Sequence, residues 1–400
     1  MDFDDIVIGS GLSALGAVLG IDARRRVLVI ANPVRGEYSY YDDRCTVPSA
    51  YSGAGGLGEA WHGVIPTGWR NNFGHANAAD YAALLKYFYP HVKIAEKIEQ
   101  PWLFVPWRAI RPSREFARLV RQRGENLTML SEAGLSVSVY ENGAAVATAN
   151  ANYRARRIWL AAGALHTPIL LKQSFERSFD RGLVSDHAFC YVGQTAGESV
   201  PDLAHSREGI FFPARYSNQC SALYTLRPAR FAFRRLDYGI EQRALFGLPT
   251  GSALAKIARR ASPGLLAEAF YNRFGLFPSA GVYSVYAQVL VPDAYEYHVE
   301  QDRPVVSARS LIIRAATDVA RAHQPYKNLV ASRLLDAFIP GIHLHHSLDL
   351  EALSHAGLNT AGSSLQIVDA SVLEDIGPDH HSFKMMLSAY DRVKSIDADV

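Results

Sequence analysis

The longest apolar stretch in the chain runs over residues 6–21, and glycine punctuates it at Gly9, Gly11, Gly16 and Gly20. A short apolar run, a Gly-rich break, a longer apolar stretch and a second short run follow one another through DIVIGSGLSALGAVLGI and RRVLVIANP. That order predicts strand, turn, helix, strand: a βαβ unit at the start of the chain. Residues 78–98 (AADYAALLKYFYPHVKIAEKI) keep a helical period. Residues 126–174 read as a ladder of strands, then a strand ending at LAAGA, then a helix. From about residue 185 to 340 Tyr and Phe become frequent, and GVYSVYAQVLVP alternates as antiparallel strands do. A His-rich loop follows Pro340, SLQIVDASVL reads as a strand and turn, and a last helix begins near His380. The expected architecture is α/β. A discontinuous Rossmann-type nucleotide domain takes residues 1–184 and 341–400, and residues 185–340 form an inserted α+β substrate domain on an antiparallel sheet.

Composition narrows the class. The 400 residues are 48% hydrophobic and 20% charged with a net charge of +2, which is globular and gives no sign of nucleic acid. The three cysteines, Cys45, Cys190 and Cys220, are scattered, so no disulfide framework or metal spacing emerges and a reducing compartment is expected. The apolar stretch is preceded by Asp2, Asp4 and Asp5 where a secretory signal needs positive charge, and it is short for a membrane span. The chain is read as cytoplasmic.

The turn after the first strand is Gly9-Ser10-Gly11-Leu12-Ser13-Ala14, a G-x-G-x-x-A form of the dinucleotide fingerprint. Gly9 permits the tight turn, Gly11 admits a pyrophosphate to the backbone, and Ala14 keeps the helix near its strand, with helix N–H groups facing the phosphates. The second strand should end in an acidic residue for a ribose. It offers Asn32, which can hydrogen-bond a hydroxyl without charge.

Four further blocks, in order, make the chain resemble the glucose–methanol–choline family of FAD-dependent oxidoreductases, with a pyranose-2-oxidase-like pattern. The first is GGLGEAWHGVIP (55–66), similar to the family loop under the flavin, with Gly55, Gly56, Leu57, Trp61 and His62 as cofactor candidates. Family members that bind FAD covalently use a histidine whose position here is Ala60. The resemblance therefore implies non-covalent FAD, and a one-residue shift would make His62 the link. The second block is RIWLAAGALHTPILLKQS, where Ala161, Ala162 and Gly163 let backbone pass close to a cofactor. The third is VSDH, reminiscent of the family's Asp-His pair at the entry to the substrate domain, with His187 expected to be structural. The fourth is LQIVDASVL, which implies that Asp369 and Ala370 approach the pyrophosphate and flavin.

GPDHHSFKMMLSAY follows directly. The family's final helix begins with His or Asn where His380 stands, and His381 occupies a usual proline position beside the pocket. The resemblance implies that His380 takes a proton from an alcohol as its carbon gives a hydride to the flavin, a task suited to imidazole. The loop PGIHLHHSLDL supplies His343, His345 and His346, and the pyranose-oxidase-like pattern selects His345 as the second catalytic residue. The loop then departs from the family's Gly-Thr…Met-Gly continuation. Read without the family, HLHH is either a set of solvated histidines or a metal cluster, and no metal is expected because no carboxylate or cysteine is spaced to join it. The substrate implied is a sugar, polyol, glycoside or other small alcohol. Residues 227–278 are basic and amphipathic, read either as a solvated helix pair or as a peripheral membrane or partner contact. The rival readings are a lyase with structural flavin and a degenerate relative that oxidises nothing.

Overall fold

The computed structural model describes residues 2–33, 36–39, 48–61, 63–67, 78–92, 102–175, 179, 181–196, 204–217, 219–228, 282–300, 302–331, 339–341, 343–360, 362–374 and 376–398. The βαβ unit is present: β1 (Phe3–Ile8), α1 (Leu12–Gly20) and β2 (Val27–Ile30). Downstream come α2 (Ala78–Phe88), α3 (Pro112–Arg123), β3 (Leu127–Leu130), β4 (Ser136–Tyr140), β5 (Gly143–Ala147), β6 (Asn152–Leu160) and α4 (His166–Ser174). The first sheet is seven-stranded, in the order β3-β2-β1-β6-β5-β4, with a late strand, β12 (Leu365–Ile367), also on β6. β3, β2, β1, β6 and β12 run parallel.

Apolar runs rather than alternation mark β1 and β2 because both faces of this sheet are covered. Val7, Val29 and Trp159 enter one core with Leu15, Val18, Phe383, Met386 and Leu387. Ile6, Ile8, Leu28, Ile30, Ile158 and Leu160 enter another with Leu170 and Leu171. On the first face, α1 packs on the last helix, α7 (Ser382–Ala398). The glycines of the apolar stretch explain how closely: a Cβ on Gly16 would lie 2.0 Å from the carbonyl oxygen of Met386, and one on Gly20 2.7 Å from that of Tyr390.

The second sheet is ten-stranded and built on two long antiparallel strands, β7 (Arg181–Ala196) and β10 (Val282–Glu300). It continues through β9 (Ala222–Pro228) and β8 (Gly209–Tyr216) to two strands from the first part of the chain, Trp102–Pro106 and Ile65–Pro66. β11 (Arg303–Ala308) pairs with β10, and α5 (Ser310–Ala322) follows it. The strip 339–340 lies on β7 and leads into the His-rich loop, and α6 (Leu350–His355) comes after it. Among the described residues no helix is long and apolar enough to cross a membrane. Of the basic stretch 227–278, only the end of β9 is described.

Candidate functional site

The carboxyl ends of the parallel strands carry most of the candidate residues, where ligands of open α/β sheets bind. β1 ends into Gly9 to Ala14, β2 into Asn32, β6 into Ala161 to Gly163, and β12 into Asp369 and Ala370. Gly9 is required by packing: its φ is +120°, and a Cβ would sit 2.1 Å from the Ala161 carbonyl oxygen. Gly11 differs. Its φ is −77°, open to any residue, and a Cβ there would meet only the Gly55 oxygen, at 3.9 Å. Neither conformation nor packing asks for glycine at the start of α1, whose first turn has no side-chain cap. Two physical reasons remain: glycine outranks alanine at an N-cap, and it leaves room for a group against the helix N–H donors. Ser10, Leu12, Ser13 and Ala14 are buried around this turn, and Asn32 is exposed at its edge.

The Gly55 loop folds over the same turn. Its N–H donates to Ser10 Oγ at 3.0 Å, and a Cβ added to Gly56 would lie 3.9 Å from Gly11 Cα. Leu57 is exposed, while Trp61 is buried in the first core. Ala60 closes the short 3-10 turn Gly56–Ala60, and His62 lies outside the described residues. Across the opening, a Cβ on Gly163 would have nothing within 4 Å. The turn is fixed by Asp369, whose two carboxylate oxygens are both engaged. One accepts from Gly163 N–H (2.8 Å) and the Thr167 hydroxyl, the other from Ser371 N–H (2.9 Å) and its hydroxyl. Asp369 thus ties β12 to β6, and its polar contacts here are to its own chain. Ala370 is buried beside it, and its carbonyl accepts from His346 N–H.

Beyond this lies a cluster of imidazoles. His187 comes from β7, His343 and His345 from the loop after residue 340, and His380 and His381 from the turn before α7. His343 and His381 rings meet edge to face at 4.2 Å between centroids, and His187 lies 5.3 Å from each of them. His345 is 6.1 Å from both His187 and His381. His380 is 6.4 Å from His343 and 6.3 Å from the Phe189 ring. His187, His345 and His381 are buried, and His343 and His380 are half-buried.

Asp186 holds the cluster together. Its Oδ1 accepts the backbone N–H of His187 (2.7 Å) and of His343 (2.6 Å), and its Oδ2 accepts the Tyr295 hydroxyl. Ser185 and His345 exchange two backbone hydrogen bonds of 3.0 Å. His187 Nε2–H donates to the Gly377 carbonyl at 2.7 Å, because a carbonyl can only accept, so the Nδ1 lone pair faces His343 Nδ1 at 3.2 Å. Likewise His345 Nδ1–H donates to the His343 carbonyl, making Nε2 its lone-pair nitrogen. Burial, followed by the neighbouring imidazoles, holds His187 and His381 well below the usual histidine pKa, so both are neutral at pH 7. The carboxylate of Asp379, the residue before His380, is paired at 2.8 Å with the buried ammonium of Lys384.

Sequence reading therefore placed His343, His345, His380 and His381 in one neighbourhood, and the fold brings them together. It did not anticipate the central place of His187, nor the roles of Asp186 and Lys384. The VSDH block was the available signal, but its meaning depends on His343, 156 positions beyond His187.

The same fold occurs in solved oxidases. Pyridoxine 4-oxidase from Mesorbium loti superposes with a TM-score of 0.53 at 14% identity over 98% of this chain and 99% of that one. The R554A variant of Aspergillus oryzae RIB40 formate oxidase gives 0.55 at 13% over 99% and 98%, and a fungal aryl-alcohol oxidase 0.52 at 12% over 100% and 99%. These define the class: an α/β protein with the fold of the glucose–methanol–choline oxidoreductases, the family its sequence blocks resemble. No protein-family model and no curated sequence matches the chain.

Proposed function

We propose that this protein is an FAD-dependent oxidoreductase that oxidises a CH–OH group of a sugar, polyol or related small alcohol, in the cytoplasm. Gly11 carries the reading: a glycine that neither backbone conformation nor packing requires, at a helix start without a side-chain cap, against the Gly55 loop. The residues fit the dinucleotide. Gly11 and the first N–H groups of α1 would hold the pyrophosphate, Asn32 a ribose hydroxyl, and Gly56 and Gly163 would leave space along the ring system. Ala60 at the family's linking position favours a non-covalent cofactor. Bound there, the flavin would supply hydride acceptance.

The chain's part is proton handling and position. His380, half-buried and separated from the Asp379 charge by the Lys384 pair, is the base that takes the hydroxyl proton. His345 is the partner that orients the site, held by its backbone pairing with Ser185. The second sheet forms the substrate side. Purified protein should show a flavin spectrum that bleaches anaerobically with a member of a sugar and alcohol panel. His380→Ala should keep the flavin and slow its reduction by about 10²–10⁴-fold. Near-normal reduction in that variant would remove His380 as the base. Bound flavin that no substrate bleaches would favour a lyase, and absence of flavin a degenerate relative.

A further inference from the structure

His187, His343 and His381 arrive from three separate segments, yet one ring nitrogen from each lies within 4.8 Å of the others. We propose that these three imidazoles form a binding site for a divalent transition ion of borderline softness, with zinc the first candidate. Nitrogens bound to one ion at about 2.0–2.1 Å in tetrahedral directions stand roughly 3.4 Å apart. The His187 and His343 Nδ1 atoms are already 3.2 Å apart, close to that spacing, and the His381 nitrogen lies within 4.8 Å of both.

The surroundings are those of a held ligand set. A metal-binding histidine commonly donates its second ring N–H to a carbonyl, which fixes the tautomer and aims the lone pair. His187 does this through Nε2–H to Gly377. Asp186 clips the backbones of His187 and His343 with one carboxylate oxygen, fixing two of the three ligands relative to each other before any ion arrives. His381 is 2% exposed, and its Nδ1 is buried without a hydrogen-bond partner among the described residues. A buried nitrogen without a partner is costly, and an ion would supply one. On binding, the proton that His343 Nδ1 donates toward His187 moves to His343 Nε2, so the ligand remains a neutral imidazole. An all-nitrogen set favours zinc, copper(II) or nickel over magnesium or calcium, which take oxygen ligands. Three protein ligands leave a position for water. Sequence spacing argued against a metal because HLHH lacks a nearby partner. The third and second ligands come from β7 and the turn before α7, and spacing within one loop cannot show them.

This inference does not depend on the flavin reading. Purified protein stripped with chelator should be dialysed against zinc chloride, passed over a desalting column and assayed for metal and flavin in the same sample. One zinc per chain is expected. Retention should fall at least tenfold in His343→Ala, which alters a half-buried side chain, and remain in His355→Ala on the exposed face of α6. X-ray absorption of the zinc-loaded wild type provides a test that needs no variant, and should show three imidazoles. Zinc not retained above background, zinc retained fully by His343→Ala, or fewer than two imidazoles around the ion would overturn the site. Zinc without flavin would overturn the flavin reading and leave this one standing.

Discussion

Gly11 and Gly16 sit five residues apart and look alike in the sequence, yet they answer to different physics. An alanine at Gly11 meets no atom closer than 3.9 Å. It loses some capping strength, about 1 kcal/mol, and regains a similar amount by restricting the unfolded chain. Gly11→Ala should therefore leave the melting temperature of flavin-free protein within a few degrees of wild type. Flavin affinity should weaken at least tenfold, read as absorbance at 450 nm after gel filtration; undiminished retention would contradict the cradle. Lys384 gives a second residue-scale test. It is 4% exposed and pairs with Asp379, 5% exposed. Removing one partner of a buried pair costs about 3–5 kcal/mol, so Lys384→Met should lower the urea midpoint sharply, and adding Asp379→Asn should restore part of the loss. The fingerprint was legible because its chemistry is local. The Lys384 pair spans only five residues, but nothing in the sequence marked the turn before α7 as buried.

At the scale of elements, apolar runs identified β1, β2 and the end of β6 correctly because a sheet covered on both faces leaves no polar alternation to read there. The helix pair α1–α7 was not legible. Gly16 and Gly20 were visible as glycines in an apolar stretch, but their partners, Met386 and Tyr390, lie some 370 residues further on. Gly16→Ala gains helix propensity of up to about 1 kcal/mol. It also forces a methyl to within 2.0 Å of a backbone oxygen, which only a shift of one helix relieves, at roughly 1–3 kcal/mol or more. The clash outweighs the propensity, so thermal denaturation should begin lower in this variant; an unchanged or raised midpoint would mean that the helices separate freely. Sheet membership escaped sequence reading for a related reason. The apolar run WLFVP at 102–106 carries no mark of the ladder it joins, that of residues 209–216.

For the whole molecule, the histidine cluster sets a pH limit. His187 and His381 titrate near 6.5 when unfolded and well below that when folded, through burial first and neighbouring imidazoles second. Between those values the unfolded chain binds more protons. Stability is thus fully present above pH 6.5 and is lost as pH falls toward the folded values, by up to about 1.4 kcal/mol per pH unit for each histidine. Urea midpoints of chelator-treated protein should drop between pH 7 and 5, and His381→Asn should flatten the dependence; equal slopes in both would show that other groups set it. Of this cluster, the sequence displayed every member, but only the fold shows which rings face each other, since β7, the loop after residue 340 and the turn before α7 meet only in three dimensions. β6 extends the same point to the making of the chain. Its first half pairs with β5, close by in sequence, while its second half pairs with β12, more than 200 residues later. A ribosome that has passed β6 has produced a sheet with half of one edge open, and the cover for α1 is still unmade. Until β12 and α7 emerge, that edge is a template for any neighbouring strand and the glycine groove is uncovered apolar surface, so nascent chains stalled before residue 365 are the natural clients of a chaperone.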